Sequence, residues 1–135
     1  MSETTHLDEL NAALLPFAKL IGIRLTHAEA DLVRAELTVR EEICTVPPTL
    51  HGGAMMALAD TLGAYGAFLN LEDGASGTTT LESKTNFLGG AKLGAKVVAE
   101  ARPVHKGRRT QVWQTELRDE SGKLLALTSQ TQLTL

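Results

Sequence analysis

A single cysteine, Cys44, is the whole thiol content of this 135-residue chain. It cannot close an internal disulfide, and no Cys/His group has metal-ligand spacing, so no disulfide scaffold, no metal and no cofactor is implied. Basic charge is short as well: 13 Lys and Arg against 16 Asp and Glu leave a net charge of −3. A nucleic-acid binder would show a basic footprint, so no nucleic-acid partner is expected. Aromatic residues make up 4% of the chain, too few to show an aromatic clamp. The start, MSETTHLDELN, has no basic stretch followed by an apolar one, which argues against a secretory signal and for a cytoplasmic location. What is present is ordinary, 43% hydrophobic and 21% charged, the balance of one globular domain over residues 1–135.

Periodicity orders the chain. Leu7, Leu10, Leu14, Phe17 and Ala18 recur at helical spacing, with Pro16 as a kink or break. Between Ile23 and Val39 the period falls to two: Leu32, Arg34, Glu36 and Thr38 alternate with Val33, Ala35, Leu37 and Val39, which predicts one or two half-buried strands. Pro47-Pro48 makes residues 40–50 irregular, and Cys44 reads there as a loop or core residue. The one long helical stretch runs from His51 to Leu71. After Glu72-Asp73-Gly74 the chain reads as strand over 78–87, 95–104, 109–118 and 124–135, broken at Gly89-Gly90, Lys106-Gly107 and Glu120-Ser121-Gly122. Consecutive strands with short turns imply an antiparallel sheet, and the whole pattern predicts an α+β fold. Trp113, Met55 and Met56 read as core; His6, His27 and His105 show no evident partners.

The long helix is apolar on every face, which means burial on all sides or a membrane. Asp60, Thr61 and Asn70 interrupt it, many of its apolar residues are only Ala, and no second such segment accompanies it, so no membrane is expected. A single sheet covers one side of such a helix. Something outside the chain must cover the other, and a second copy is the commonest solution. A homodimer, or a tetramer built of two dimers, is therefore expected.

Chemistry concentrates on that helix. Asp60 is its only charged group, and a carboxylate in apolar surroundings costs several kcal/mol unless it is paired, hydrogen-bonded or open to a cleft. It is either a reacting group or an acid satisfied by backbone donors. Its helical neighbours Met56, Ala57, Gly63 and Ala64 are mostly small, which would admit another surface or a ligand. Gly52 and Gly53 begin the helix, where N–H groups lack intrahelical acceptors and suit a developing oxyanion; they could also simply make a tight turn. The helical rise from Gly52 to Asp60 is about 12 Å, so one chain's pair cannot touch one carbonyl, whereas antiparallel helices from two chains can supply one residue each.

An antiparallel sheet around one long helix, with His51-Gly52-Gly53 at the helix start, resembles the hotdog fold. Within it the chain resembles the PaaI-like (phenylacetic acid degradation) acyl-CoA thioesterases. The likeness rests on Pro16-Phe17, Gly22-Ile23, His51-Gly52-Gly53, Leu58-Ala59-Asp60, Thr80 with Asn86-Phe87-Leu88, Gly107-Arg108, and Asp119 to Gly122. The resemblance implies hydrolysis of an aryl- or medium-chain acyl-CoA without a metal. It casts Asp60 as nucleophile or general base, the Gly52 N–H as polariser of the thioester carbonyl, and Thr80 as the strand hydroxyl that positions water. His51 is either a catalytic imidazole or the residue that fixes the loop before the helix, and Thr80 could equally be a plain strand threonine. Gly53 and Thr45 would help hold the substrate; Thr45 stands where the family often has Asn or Gln, Pro48 where it has Gly, and Gly89-Gly90 where it has a polar-Pro pair. Lys106, Arg108 and Arg109 form the densest basic cluster. They either grip the phosphates of coenzyme A or make a solvated turn. The rival function is a non-catalytic acyl-CoA-binding or sensing module, which would have no use for a charge at Asp60.

Overall fold

The computed structural model describes residues 3–135; Met1 and Ser2, where the stretch read as lacking a signal begins, lie outside the described residues. The first helical stretch is two helices, α1 (Glu3–Ala12) and α2 (Pro16–Ile21). Proline starts α2 because the first helical residue needs no N–H acceptor, and its fixed φ suits that position. Gly22 ends α2 at φ 86°, a left-handed conformation that glycine adopts without steric penalty. The period-two region resolves into β1 (Arg24–Glu29) and β2 (Leu32–Thr38), an antiparallel hairpin. Residues 40–50 hold a short 3-10 turn and a two-stranded ribbon, β3 (Cys44–Thr45) with β4 (Thr49–Leu50), around a cis Val46–Pro47 bond. The long helix, α3, spans Gly52–Leu69, and β5 (Thr78–Phe87), β6 (Lys96–Lys106), β7 (Thr110–Asp119) and β8 (Leu124–Thr134) follow.

All six long strands join one antiparallel sheet in the order β1-β2-β6-β7-β8-β5, which curves around α3. The α+β hotdog expectation therefore holds. Val33, Ala35, Leu37, Val97, Ala99, Ala101, Trp113 and Leu117 point at the helix and are buried, at every second position as the pleat requires. The outer face is polar and carries ion pairs such as Arg102–Glu100 at 2.9 Å and Lys96–Glu36 at 3.7 Å. The β7–β8 turn is held by Asp119, whose Oδ1 accepts from the Ser121 N–H, the Ser121 hydroxyl and the Lys123 N–H.

Two glycines set how closely α3 lies on the sheet. A Cβ at Gly66 would sit 2.5 Å from the Trp113 ring, and one at Gly63 would sit 2.1 Å from Gln130 Nε2. Gly63 thus serves contact with the chain's own sheet, which corrects its reading as part of a face left small for a ligand or another surface. Met56 is also a correction: it lies on the side of α3 that the sheet does not reach and is 37% exposed, not core. Phe68, three turns further along the same side, is 62% exposed. Met55 and Trp113 are buried as expected. His27 has a partner after all, since its Nε2 lies 3.6 Å from Glu29 Oε2 across the same strand face.

The two sheet edges differ. At β1, the Asn11 side chain of α1 donates from Nδ2 to the Leu25 carbonyl and accepts from the Leu25 N–H on Oδ1, both at 2.8 Å. A single amide there fills both backbone groups of Leu25 as a neighbouring strand would. At the other edge β5 is terminal, and most of its side chains are exposed. Among the described residues no helix is long and apolar enough to cross a membrane.

Candidate functional site

The start of α3 is organised by His51. Its Nδ1 accepts from the Gly53 N–H at 2.8 Å, and its carbonyl accepts from the N–H groups of Ala54 and Met55. This is an N-cap made by imidazole. Three of the first four amides of α3 are thereby filled. The Gly52 N–H alone has no acceptor among the described residues, and it lies at the positive end of an 18-residue helix. The Phe87 ring stands beside it, 3.1 Å from where a Gly52 Cβ would be.

Asp60 is two turns along, half-buried on the side of α3 away from the sheet centre. Thr80 of β5 donates from Oγ1 to Asp60 Oδ1 at 3.2 Å. A bulge makes that contact possible. Thr80 pairs with Gln132 and Glu82 with Thr131, so Leu81 is an extra residue in the ladder. Because side chains alternate, the extra residue puts Thr80 on the same face as Ser83, Thr85 and Phe87, which pair with Gln130, Thr128 and Ala126. Without it Thr80 and Phe87 would point to opposite faces, and the strand could not meet both Asp60 and the Gly52 end of the helix.

Behind Thr80 lie two glutamines that the pattern of the sequence does not single out. Gln132 Nε2 donates to Thr80 Oγ1 at 2.6 Å and to Gln130 Oε1 at 2.7 Å, and Gln130 Nε2 donates to the Ala59 carbonyl at 3.0 Å. In front of the pair opens a largely apolar cavity of about 420 Å³ lined by Leu15, Ala64, Tyr65, Phe68, Gly77 and Thr78, among others. Ala64 is one helical turn from Asp60 and Thr78 two residues from Thr80, so the cavity opens one turn along α3 from the carboxylate, which is not part of its lining.

The remaining expected site residues lie elsewhere in the chain. Gly53 is exposed, with its N–H spent on His51. Thr45 is exposed on β3, and its strand is tied to the helix start through Ile43, whose carbonyl accepts from the His51 N–H at 2.9 Å. Lys106 is bonded to Asp31 at 2.6 Å, which leaves Arg108 and Arg109, both exposed, as the open cations of that turn. The turn sits at the C-terminal end of α3: the Arg109 carbonyl accepts from the Thr134 N–H, Thr134 pairs with Thr78, and Asn70 at the helix end reaches Ala30 in the β1–β2 turn. Since ten residues of β5 span roughly 30 Å, Arg108 and Arg109 are far from Gly52 of their own chain.

Comparison with known proteins gives a consistent picture. The profile of the thioesterase superfamily matches residues 48–126. The 1,4-dihydroxy-2-naphthoyl-CoA hydrolase of Escherichia coli is 34% identical over 121 residues, 87% of this chain and 86% of that protein. A crystal structure of a thioesterase from Haemophilus influenzae superposes with a TM-score of 0.88 at 32% identity, covering 96% of this chain and 90% of that one. The phenylacetic acid degradation protein PaaI of Thermus thermophilus, solved as a point mutant, matches with a TM-score of 0.82 at 28% identity over 90% of this chain and all of its own.

Proposed function

Because the chain belongs to the thioesterase superfamily and is a thioester hydrolase, we propose that it hydrolyses an aryl- or medium-chain acyl-CoA in the cytoplasm, with Asp60 as the reacting carboxylate. The observation that carries this reading is the position of Asp60, held by Thr80 at 3.2 Å one helical turn from an apolar cavity of about 420 Å³. The acyl group occupies that cavity, its apolar body against Tyr65 and Phe68. Asp60 takes a proton from water as the water attacks the thioester carbon, or attacks that carbon itself to form an anhydride that water then opens. Thr80 keeps a lone pair for the water while its hydrogen faces Asp60. The carbonyl oxygen, gaining negative charge, is met by the free Gly52 N–H. Collapse of the tetrahedral intermediate expels the coenzyme A thiolate. Gly53 and Thr45 line the approach to the Gly52 amide.

The site is shared between two chains in this reading. Asp60 stands about 12 Å along α3 from its own Gly52, and the uncovered stripe of Met56, Asp60 and Phe68 invites a second, antiparallel α3. In that arrangement the partner's helix start arrives near this chain's Arg108 and Arg109, which then face the coenzyme A phosphates of the shared site; Lys106 is restrained by Asp31 and contributes less. A panel of benzoyl-, hydroxybenzoyl-, hexanoyl- and octanoyl-CoA, followed by free-thiol release, tests the proposal. Release is expected from at least one of them; silence across the panel with folded protein would overturn it.

A further inference from the structure

Gln130 and Gln132 are 2% and 1% exposed, beneath a helix, in a sheet face otherwise built of apolar residues, threonines and one further glutamine, Gln111. Their hydrogen bonds have a single possible direction. The Ala59 carbonyl can only accept, so Gln130 must present Nε2 to it. Gln130 Oε1 then faces Gln132, which must in turn present its own Nε2. The same Nε2 reaches Thr80 Oγ1, so both amide hydrogens of Gln132 are used and the Thr80 oxygen is an acceptor there. The one hydrogen of Thr80 is left for Asp60 Oδ1. Every donor in the chain is thus set by one backbone carbonyl, that of the residue immediately before Asp60.

The opposite end of the Gln132 amide sharpens the point. Its Oε1 is buried with no hydrogen-bond partner among the described residues, and an unpaired buried carbonyl opposes folding. A side chain kept for packing alone would do better as Met or Leu. Gln130 reaches α3 only because Gly63 has no Cβ, so the helix itself is shaped to admit the relay.

We propose that Gln132 is a positioning residue for hydrolysis: by donating to Thr80 it makes the Thr80 hydroxyl donate to Asp60, which fixes the carboxylate in one rotamer with its second oxygen turned to the substrate. This rests on Asp60 being the reacting group. The test compares the parent, Gln132→Met, Thr80→Val and the double variant, with benzoyl-CoA or hexanoyl-CoA, whichever the parent turns over faster. Gln132→Met should lower kcat roughly tenfold with KM within about twofold, and should change kcat by less than about twofold in the Thr80→Val background, since it acts through that hydroxyl. The same loss in both backgrounds, a change in KM alone, or no loss would overturn the proposal. If Gln132→Met does not fold, Gln132→Asn, one methylene too short to reach Thr80, replaces it. The resting protein gives a readout that does not depend on turnover: NMR couplings of the Asp60 β-protons should show one side-chain rotamer in the parent and averaging in the variant. If the parent hydrolyses no thioester, the functional reading falls while this measurement still decides the relay, and unchanged couplings in the variant would overturn it.

Discussion

The imidazole Nδ1 of His51 accepts from the Gly53 N–H at 2.8 Å, and that bond separates the roles of two adjacent glycines. Gly53 is spent on the cap; Gly52 keeps a free donor. Replacing His51 by Ala should cost about 0.5–2 kcal/mol of stability, whereas His51→Asn, a good cap, should keep most of it. If the imidazole acts only through the helix start, His51→Asn should also keep kcat within a few fold. Thermal unfolding and steady-state kinetics on the two variants check this, and an equal collapse of kcat in both would assign His51 a chemical role.

Asp60→Asn keeps the shape of the side chain and removes the base or nucleophile. The expected fall in kcat is roughly 10²–10⁴ with little change in KM. Thiol release within about threefold of the parent would remove Asp60 from the chemistry.

Sharing of the site is tested by mixing two inactive variants, Asp60→Asn and Gly52→Pro. Proline deletes the N–H and suits a first helical position, although the exposed Phe87 ring must yield slightly, since a Gly52 Cβ would lie 3.1 Å from it. In a mixed dimer the intact Gly52 of one chain and the intact Asp60 of the other meet in one site. Random reassortment should restore roughly a quarter of parental activity. No recovery, with mixed dimers confirmed by mass, would place the whole site in one chain.

Arg108 and Arg109 are expected to grip phosphates. Converting both to Gln should raise KM for acyl-CoA, weaken its salt dependence, and leave a truncated acyl-pantetheine nearly unaffected. Equal losses on both substrates would mean that the turn acts through folding.

Acid should unfold the protein partly through two carboxylates far from Asp60. The Arg24 hydrogen bond, helped by Lys96, holds Glu36 below its ordinary 4.5, and the Ser121 hydroxyl holds Asp119 below its ordinary 3.8. Both are depressed in the folded state, so their contribution to stability is present above these ordinary values and is lost as pH falls through the lower folded ones. Glu36→Gln with Asp119→Asn should therefore flatten the decline of chemical stability below pH 4.5 and leave its slope near neutrality unchanged. Parallel acid limbs in parent and variant would refute it.

Much of this was legible in the residues. Period-two alternation placed β2 with Val33, Ala35 and Leu37 inward, and glycine-bearing turns separated β5 to β8. Asp60 stood out because it was the only charge in an apolar helix. The Thr80 contact needed the Leu81 bulge, which breaks the alternation just after a run of three threonines, where no glycine or proline marks the break. The glutamines were hidden for a different reason. Along β8, Leu127 and Leu133 look like the inward set, yet Thr128, Gln130 and Gln132 are the buried ones. The inversion is possible because Gly63 and Gly66 bring helix carbonyls within reach of sheet amides, as Gln111 also shows by donating to the Ala67 carbonyl at 3.1 Å. A pair of glycines three apart in an apolar helix, facing a strand with alternating glutamines, was the signal available.

The amide of Asn11 on β1 bears on how far such a sheet could grow. With the Leu25 backbone groups occupied at one edge and β5 terminal at the other, an incoming strand finds fewer open groups at β1 than at β5. A protein with two bare edges can instead continue indefinitely, which is the geometry of ribbons and fibrils. A small polar side chain at the far end of the sheet from Thr80 thus works against strand addition where it caps Leu25.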